Sequence, residues 1–201
     1  MHKLSFENVS FSYTGREALI ENLSFEIISG GIYSITGQSG AGKSTCLKLM
    51  STYLLPNKGM VLLDGKDIPK KGICPVQMLW QDPQSSFNPY LKILQSLSDA
   101  GGINECLMDM FGVDRLWLSR YPRELSGGQL QRIAIVRALT SKPLFVLADE
   151  ISSMLDAYTQ NEIWDRLLDY IKDNQIGLVY VSHSDLLHRK IGATSPVIRL
   201  R

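Results

Sequence analysis

The stretch that most narrows what this chain can become is GQSGAGKST, residues 37–45, a full match to the pattern G-x-x-x-x-G-K-[ST]. The preceding residues, Ile32 to Thr36, read as a buried strand, and those after Lys43 read as a helix. Between such elements the glycines let the backbone curl until successive N–H groups point inward. A ring of N–H groups at a helix N-terminus, with its favourable dipole, binds phosphate oxygens. The candidate phosphate-binding residues are therefore Gly37, Gln38, Ser39, Gly40, Ala41, Gly42, Lys43, Ser44 and Thr45. Lys43 offers a point charge to the β- and γ-phosphates, and Ser44 offers a hydroxyl to Mg²⁺. This motif implies a nucleotide without saying which one or for what purpose.

The rest of the chain reads as an α/β fold around that loop. Runs rich in β-branched and apolar residues fall at 4–9, 23–28, 32–36, 60–64, 144–148, 177–182 and 196–200. Helical periodicity follows residue 43, with Leu47, Met50 and Leu54 on one face. It returns after Ser126 (Leu130, Ile133, Ala134, Leu139) and from Ala157 (Ile163, Leu167, Ile171). The early strands predict an antiparallel β subdomain, and the later alternation of strand and helix predicts a parallel sheet with crossover helices. Residues 83–124 break the pattern with Pro83, Ser85, Ser86, Asn88 and Pro89, then two short helical pieces around 91–99 and 103–111. They read as a small helical insertion, because long structureless loops are uncommon in compact domains. The expectation is one domain over 1–201, with a P-loop NTPase core at 1–82 and 125–201.

Composition excludes several classes of function. A net charge of +1 from 21 basic and 20 acidic residues gives no field for binding nucleic acid. Cys46, Cys74 and Cys106 are odd in number and widely spaced, which argues against a disulfide framework or a structural zinc site. The N-terminus lacks the pattern of a secretory signal. No apolar run approaches the roughly 18–20 residues that cross a bilayer.

A second phosphate-facing element stands at residues 125–132, LSGGQLQR. Ser126 reads as the N-cap of the helix that carries Leu130 and Ile133, and a capped helix end with two glycines is itself an anion site. Together, GQSGAGKST and LSGGQ resemble the ABC (ATP-binding cassette) ATPases over nearly the whole chain, from about Leu4 to Leu200. The resemblance implies ATP and Mg²⁺ as ligands. It also implies a head-to-tail pair of cassettes, each ATP lying between the P-loop of one and Ser126, Gly127, Gly128 and Gln129 of the other.

The same resemblance assigns the remaining site residues. LFVLADE, residues 144–150, is an apolar strand ending in two carboxylates, with Asp149 as the Mg²⁺ ligand and Glu150 as the general base. His183 in VYVSHS matches the switch histidine that contacts the γ-phosphate, whereas His2 and His188 match nothing. Gln81 in WQDP matches the glutamine that senses Mg²⁺ or the attacking water, and Tyr13 in FSY matches the aromatic that stacks on adenine. Asp156 closes ISSMLD, where the family commonly has PTSALD contacting the opposite subunit; Ile151 and Met154 depart from that pattern.

Alternatives are tested by what is missing. A small G-protein would carry Asn-Lys-x-Asp, and here Asn57-Lys58 is followed by Gly59 and Met60. Chromosome-tethering relatives would place a long coiled coil between loop and signature, and translation factors would carry two cassettes. The expectation is a stand-alone cassette, peripheral at the cytoplasmic face of the membrane. Its expected partners are a second ABC ATPase subunit, integral membrane permease subunits and an extracytoplasmic substrate-binding protein. WQDPQSSFNP resembles the peptide, nickel and metal-chelate importer branch, although the chain runs only to Arg201 and so leads one to expect no regulatory C-terminal domain. The alternative is a soluble ABC ATPase serving a multi-protein enzyme, such as a phosphonate-degrading system.

Overall fold

The computed structural model describes residues 1–14, 17–69, 71–151, 155–182, 187, 191 and 197–200. They form two compact units: Met1–Met78, Leu144–Asp149 and Gln175–Arg201 make one, and Leu79–Pro143 with Glu150–Asn174 make the other.

The first unit holds two sheets. One is antiparallel, in the order β2 (Ile20–Ile28), β1 (Lys3–Phe11), β4 (Lys58–Leu63), β5 (Lys66–Asp67). In β1 the apolar residues Leu4, Phe6, Val9 and Phe11 are buried, although Phe6 and Val9 are out of step for a strict alternation. A bulge resolves the mismatch: the register shifts between Phe6 and Val9, and Asn8 takes φ 50. One extra residue then returns Val9 to the core face. Phe6 stacks on Phe25 at 4.6 Å between ring centroids.

The other sheet has five strands in the order β6 (Val76–Leu79), β7 (Phe145–Asp149), β8 (Gly177–Val181), β3 (Ile32–Thr36), β9 (Val197–Arg199). The pairs β7/β8, β3/β8 and β3/β9 run parallel. Every residue of β7 and β8 is buried, which explains why both read as unbroken apolar runs. After β3 the chain turns through residues 37–42 into α1 (Lys43–Met50), which rests on β7.

Two sequence expectations change here. Leu54 does not extend the face of α1, because the helix stops at Met50. Ser51 folds its hydroxyl back onto the Leu47 carbonyl at 2.8 Å, and Thr52 takes φ 62, which a helix cannot continue through. The short strands β5 and β6 lie outside the runs read from sequence. In β6, Val76-Gln77-Met78-Leu79 has only one β-branched residue, so its place in the sheet comes from its neighbour β7 and not from local preference.

The second unit is helical: α2 (Ile93–Ser98), α3 (Glu105–Phe111), α4 (Gly127–Thr140) and α5 (Ala157–Asp173), with 3₁₀ turns at Pro83–Ser86, Arg115–Ser119 and Pro122–Glu124. α3 is capped by the Asn104 side chain, which accepts from the Leu107 N–H, and buries Leu107, Met108 and Phe111. α4 packs on α3 and on the turn at 83–86. Among the described residues no helix is long and apolar enough to cross a membrane.

The bulge in β1 has a counterpart in β4. Gly59 takes φ 77, and a Cβ there would sit 2.3 Å from the carbonyl oxygens of both Glu7 and Asn8. Backbone has no flexible end that could swing aside. Gly59→Ala is therefore expected to destabilise the protein by at least about 2 kcal/mol, from the left-handed conformation together with the clash. Urea unfolding that shows a lower midpoint at an unchanged slope checks this.

Candidate functional site

In the first unit, β3 delivers the chain to the loop at residues 37–42, where Gln38, Ser39 and Gly40 are exposed and Gly42 is buried. Gly42 takes φ 89, and a Cβ there would stand 3.0 Å from Leu19, so only glycine fits. The loop is tied to itself: the Ala41 N–H donates to the Gln38 carbonyl at 3.1 Å. Lys43 begins α1 and is only 8% exposed. A buried ammonium needs acceptors, and its Nζ donates to the carbonyls of Gly37 at 3.0 Å and Gln38 at 2.9 Å. The lysine thus straps across the loop it belongs to.

Ser44 and Thr45 point to different partners. Ser44 Oγ donates to Asp149 Oδ1 at 3.0 Å. That carboxylate, 5% exposed, closes β7, so the helix start and the tip of the buried strand meet at a hydroxyl and a carboxylate. Thr45 Oγ1 lies 3.1 Å from the Tyr13 hydroxyl. Tyr13 also meets Phe11 edge-on, with centroids 4.9 Å apart and rings at 86°. Tyr13 remains 37% exposed, and its hydroxyl is anchored to the first turn of α1. No motif or spacing in the sequence signals that anchor.

In the second unit the exposed Gln81 donates through Nε2 to Glu150 Oε2 at 3.3 Å. Glu150 takes φ 47, a conformation rare outside glycine and costing about 1–3 kcal/mol, and one that concentrates at functional positions. Ser126 caps α4 as expected. Its Oγ accepts from the Gln129 N–H at 3.2 Å, and Gln129 Oε1 accepts from the Ser126 N–H at 3.0 Å. Gln129 is thus occupied as the return half of a capping box. Ser126 and Gly127 are exposed, and nothing lies within 4 Å of where a Cβ on Gly127 would be. Backbone N–H groups at such a helix end have no partner within the helix.

Asp156 caps α5, accepting from the Thr159 N–H at 3.0 Å and from the Thr159 hydroxyl at 2.7 Å. The hydroxyl bond, then the N–H bond, holds its carboxyl below the ordinary aspartate range. Ile151, where the family pattern has proline, is 2% exposed, so the departure is absorbed by packing. His183 and Met154 lie outside the described residues. His2, which matched no motif, is paired with Asp64 at 2.7 Å.

The described residues contain no group of three or more His, Cys, Asp or Glu placed to hold a metal.

Comparison with known proteins fits this geometry. The ABC transporter family profile matches residues 20–153. A probable peptide ABC transporter ATP-binding protein of Sinorhizobium fredii is 34% identical over 200 residues, covering 90% of this chain and 57% of that protein. A metal-staphylopine import system ATP-binding protein of Staphylococcus aureus is 30% identical over 193 residues, covering 89% of this chain and 78% of the other. Other curated relatives are longer, and the chain spans 38% of one from Escherichia coli. A solved dimeric ATP-binding cassette in a post-hydrolysis state, bound to ADP and Pi, superposes with a TM-score of 0.80 at 26% identity, covering 98% of this chain and 94% of that one. Loop, capped signature helix, strand-tip carboxylate and these likenesses agree: the chain belongs to the ABC transporter family, as an ATP-binding cassette.

Proposed function

We propose that this chain is the ATP-binding and ATP-hydrolysing motor subunit of a membrane ABC transporter that imports peptides or metal chelates. The observation that carries the ATPase reading is the Ser44–Asp149 hydrogen bond. It brings a loop-helix hydroxyl and a buried carboxylate together beside a phosphate-binding loop. Such a pair suits Mg²⁺, which favours one or two protein oxygens with phosphate and water for the rest. Ser44 and Asp149 are the residues that would hold it, with Gln81 as a further oxygen ligand; when bound it withdraws charge from the phosphates. The importer branch is supported by the names of the relatives, peptide transport in one and metal-staphylopine import in another. Nickel transport and the enzyme-accessory alternative gain no support from them.

In this reading Lys43 and the N–H groups of residues 37–45 hold the triphosphate, and Tyr13 stacks on the adenine. Glu150 takes a proton from the water whose oxygen attacks the γ-phosphorus. The bond from that phosphorus to the bridging oxygen breaks, and the electron pair leaves with ADP. Gln81 orients the Glu150 carboxylate through the contact seen here, and His183 contacts the γ-phosphate. Ser126 to Gln129 and Asp156 serve the nucleotide of a second cassette, which would complete each site. Permease subunits would dock a short helix beside Gln81 on the part of the insertion at 83–111, with a substrate-binding protein on the far side of the membrane. The whole chain then acts as one cassette at the cytoplasmic face of the membrane.

Three measurements test this. Glu150→Gln should keep ATP affinity within about twofold while turnover falls by about 10²–10⁴, the range general-base catalysis supplies. Lys43→Ala should weaken nucleotide binding at least about tenfold, or about 1.4 kcal/mol, by equilibrium titration. The chain should also co-purify with membrane subunits from detergent extracts of cells expressing its genomic neighbours. Full recovery in the soluble fraction of those cells would argue for the accessory-subunit alternative.

A further inference from the structure

Within the second unit, three charged side chains from two helices gather at the end of a third. Arg132, one turn into α4 from Gly128, donates through Nη1 to the Phe111 carbonyl at 2.9 Å and through Nη2 to Glu162 Oε2 at 2.8 Å. The other carboxylate oxygen of Glu162 pairs with Arg166 Nη2 at 2.6 Å. Arg166 Nη1 donates to the Met110 carbonyl. Phe111 ends α3, and Gly112 closes it at φ 64, so Met110 and Phe111 present carbonyls that the helix itself leaves unpaired. Two guanidiniums, one from α4 and one from α5, cap that end, and one carboxylate bridges them.

This is not an ordinary surface pair. Arg132 is 16% exposed and Glu162 27%, and each makes two bonds or more. The charge count also fits. Two cations and one anion leave one positive charge against the negative end of the α3 dipole. The Arg132 bond holds the Glu162 carboxyl below its ordinary range, so the bridge stays ionised through neutral pH.

Placement gives the cluster its meaning. Helix α4 begins at the exposed Ser126–Gly127–Gly128 end, and α5 begins at Asp156. These two N-termini meet where Leu155 Cδ2 lies 3.3 Å from the Cβ position of Gly128. The ion cluster deeper along both helices adds a charged fastening to that apolar contact. We infer that Arg132, Glu162 and Arg166 are positioning residues that hold the Ser126–Gly128 end and the Asp156 end in one fixed relation, so that a second cassette meets both at once. This rests on the proposed ATP-dependent pairing of cassettes. None of the three touches nucleotide; they act through the helices they join.

The test uses the full chain carrying Glu150→Gln, in which ATP-bound dimers accumulate. Glu162→Gln is nearly isosteric and removes only the charge. It should raise the ATP concentration for half-maximal dimerisation, followed by light scattering, about tenfold. Affinity for a fluorescent ATP analogue, titrated at protein concentrations too low for pairing, should stay within twofold. Arg132→Ala should behave alike, and the double variant should fall short of the product of the two single effects, because both remove the Arg132–Glu162 bridge. With Glu150 intact, Glu162→Gln should lower kcat at saturating ATP while leaving monomer nucleotide affinity unchanged. Should Arg132→Ala fail to fold, Arg166→Lys replaces it, keeping the charge but losing the fork, with a smaller shift in the same direction. Normal dimerisation of Glu162→Gln, a parallel loss of monomer affinity, or effects that multiply in the double variant each overturn the inference. Ser126→Arg is the control: if it too dimerises normally, the pairing itself is wrong and the inference falls with it, whereas a block there with a normal Glu162→Gln removes the clamp alone.

Discussion

A carboxylate at the tip of a wholly buried strand is expensive unless something nearby answers it. In this chain the answer to Asp149 is the Ser44 hydroxyl at 3.0 Å, and much of the first unit is organised around making that contact possible. The strand must be apolar throughout, so that its end is fixed by packing. The loop must return the chain to helix at one position, so that Ser44 and not its neighbours faces the carboxylate. Lys43, one residue earlier, must point elsewhere, and it does so by bonding the carbonyls of Gly37 and Gln38. Three consecutive residues thus carry three directions: Lys43 inward to its own loop, Ser44 to the strand, Thr45 toward Tyr13. The first turn of a helix separates neighbouring side chains widely around its axis. That is why one short motif can engage its own loop, a neighbouring strand and a distant aromatic at the same time.

How much of this could be read in advance depended on how local its cause is. The phosphate loop, the Ser126 cap and the carboxylate-ended strand are short-range patterns, each set by the residues next to it. The fully buried strands β7 and β8 were legible because burial on both faces leaves no polar position in the run. The end of α1 was not, since the apolar spacing through Leu54 continues after the backbone has turned at Thr52. The strand β6 was missed because it borrows its conformation from the strand beside it. The left-handed backbone of Glu150 also leaves no mark, as glutamate has no special liking for it.

Arg132 shows the same limit from the side of function. In sequence it is the last letter of LSGGQLQR, and its partners, Phe111 and Glu162, stand far from it in either direction. No periodicity links them. Only the packing of α3 against both α4 and α5 turns three scattered charges into one arrangement.

The departures from the family pattern are best weighed against that arrangement. Ile151 replaces a residue whose rigid ring would fix the backbone entering the Asp156 segment, and it is buried instead. A fixed φ is thus exchanged for apolar anchoring, just after a residue already held at φ 47. Beyond it the chain reaches Leu155 against Gly128, and then the Asp156 cap, whose two bonds to Thr159 set where α5 begins. With the proline absent, orientation of that helix end rests more heavily on contacts made after it, among them the Glu162 carboxylate with its two guanidinium partners. A chain that has given up a local constraint at the start of a helix has all the more need of a charged one along its length.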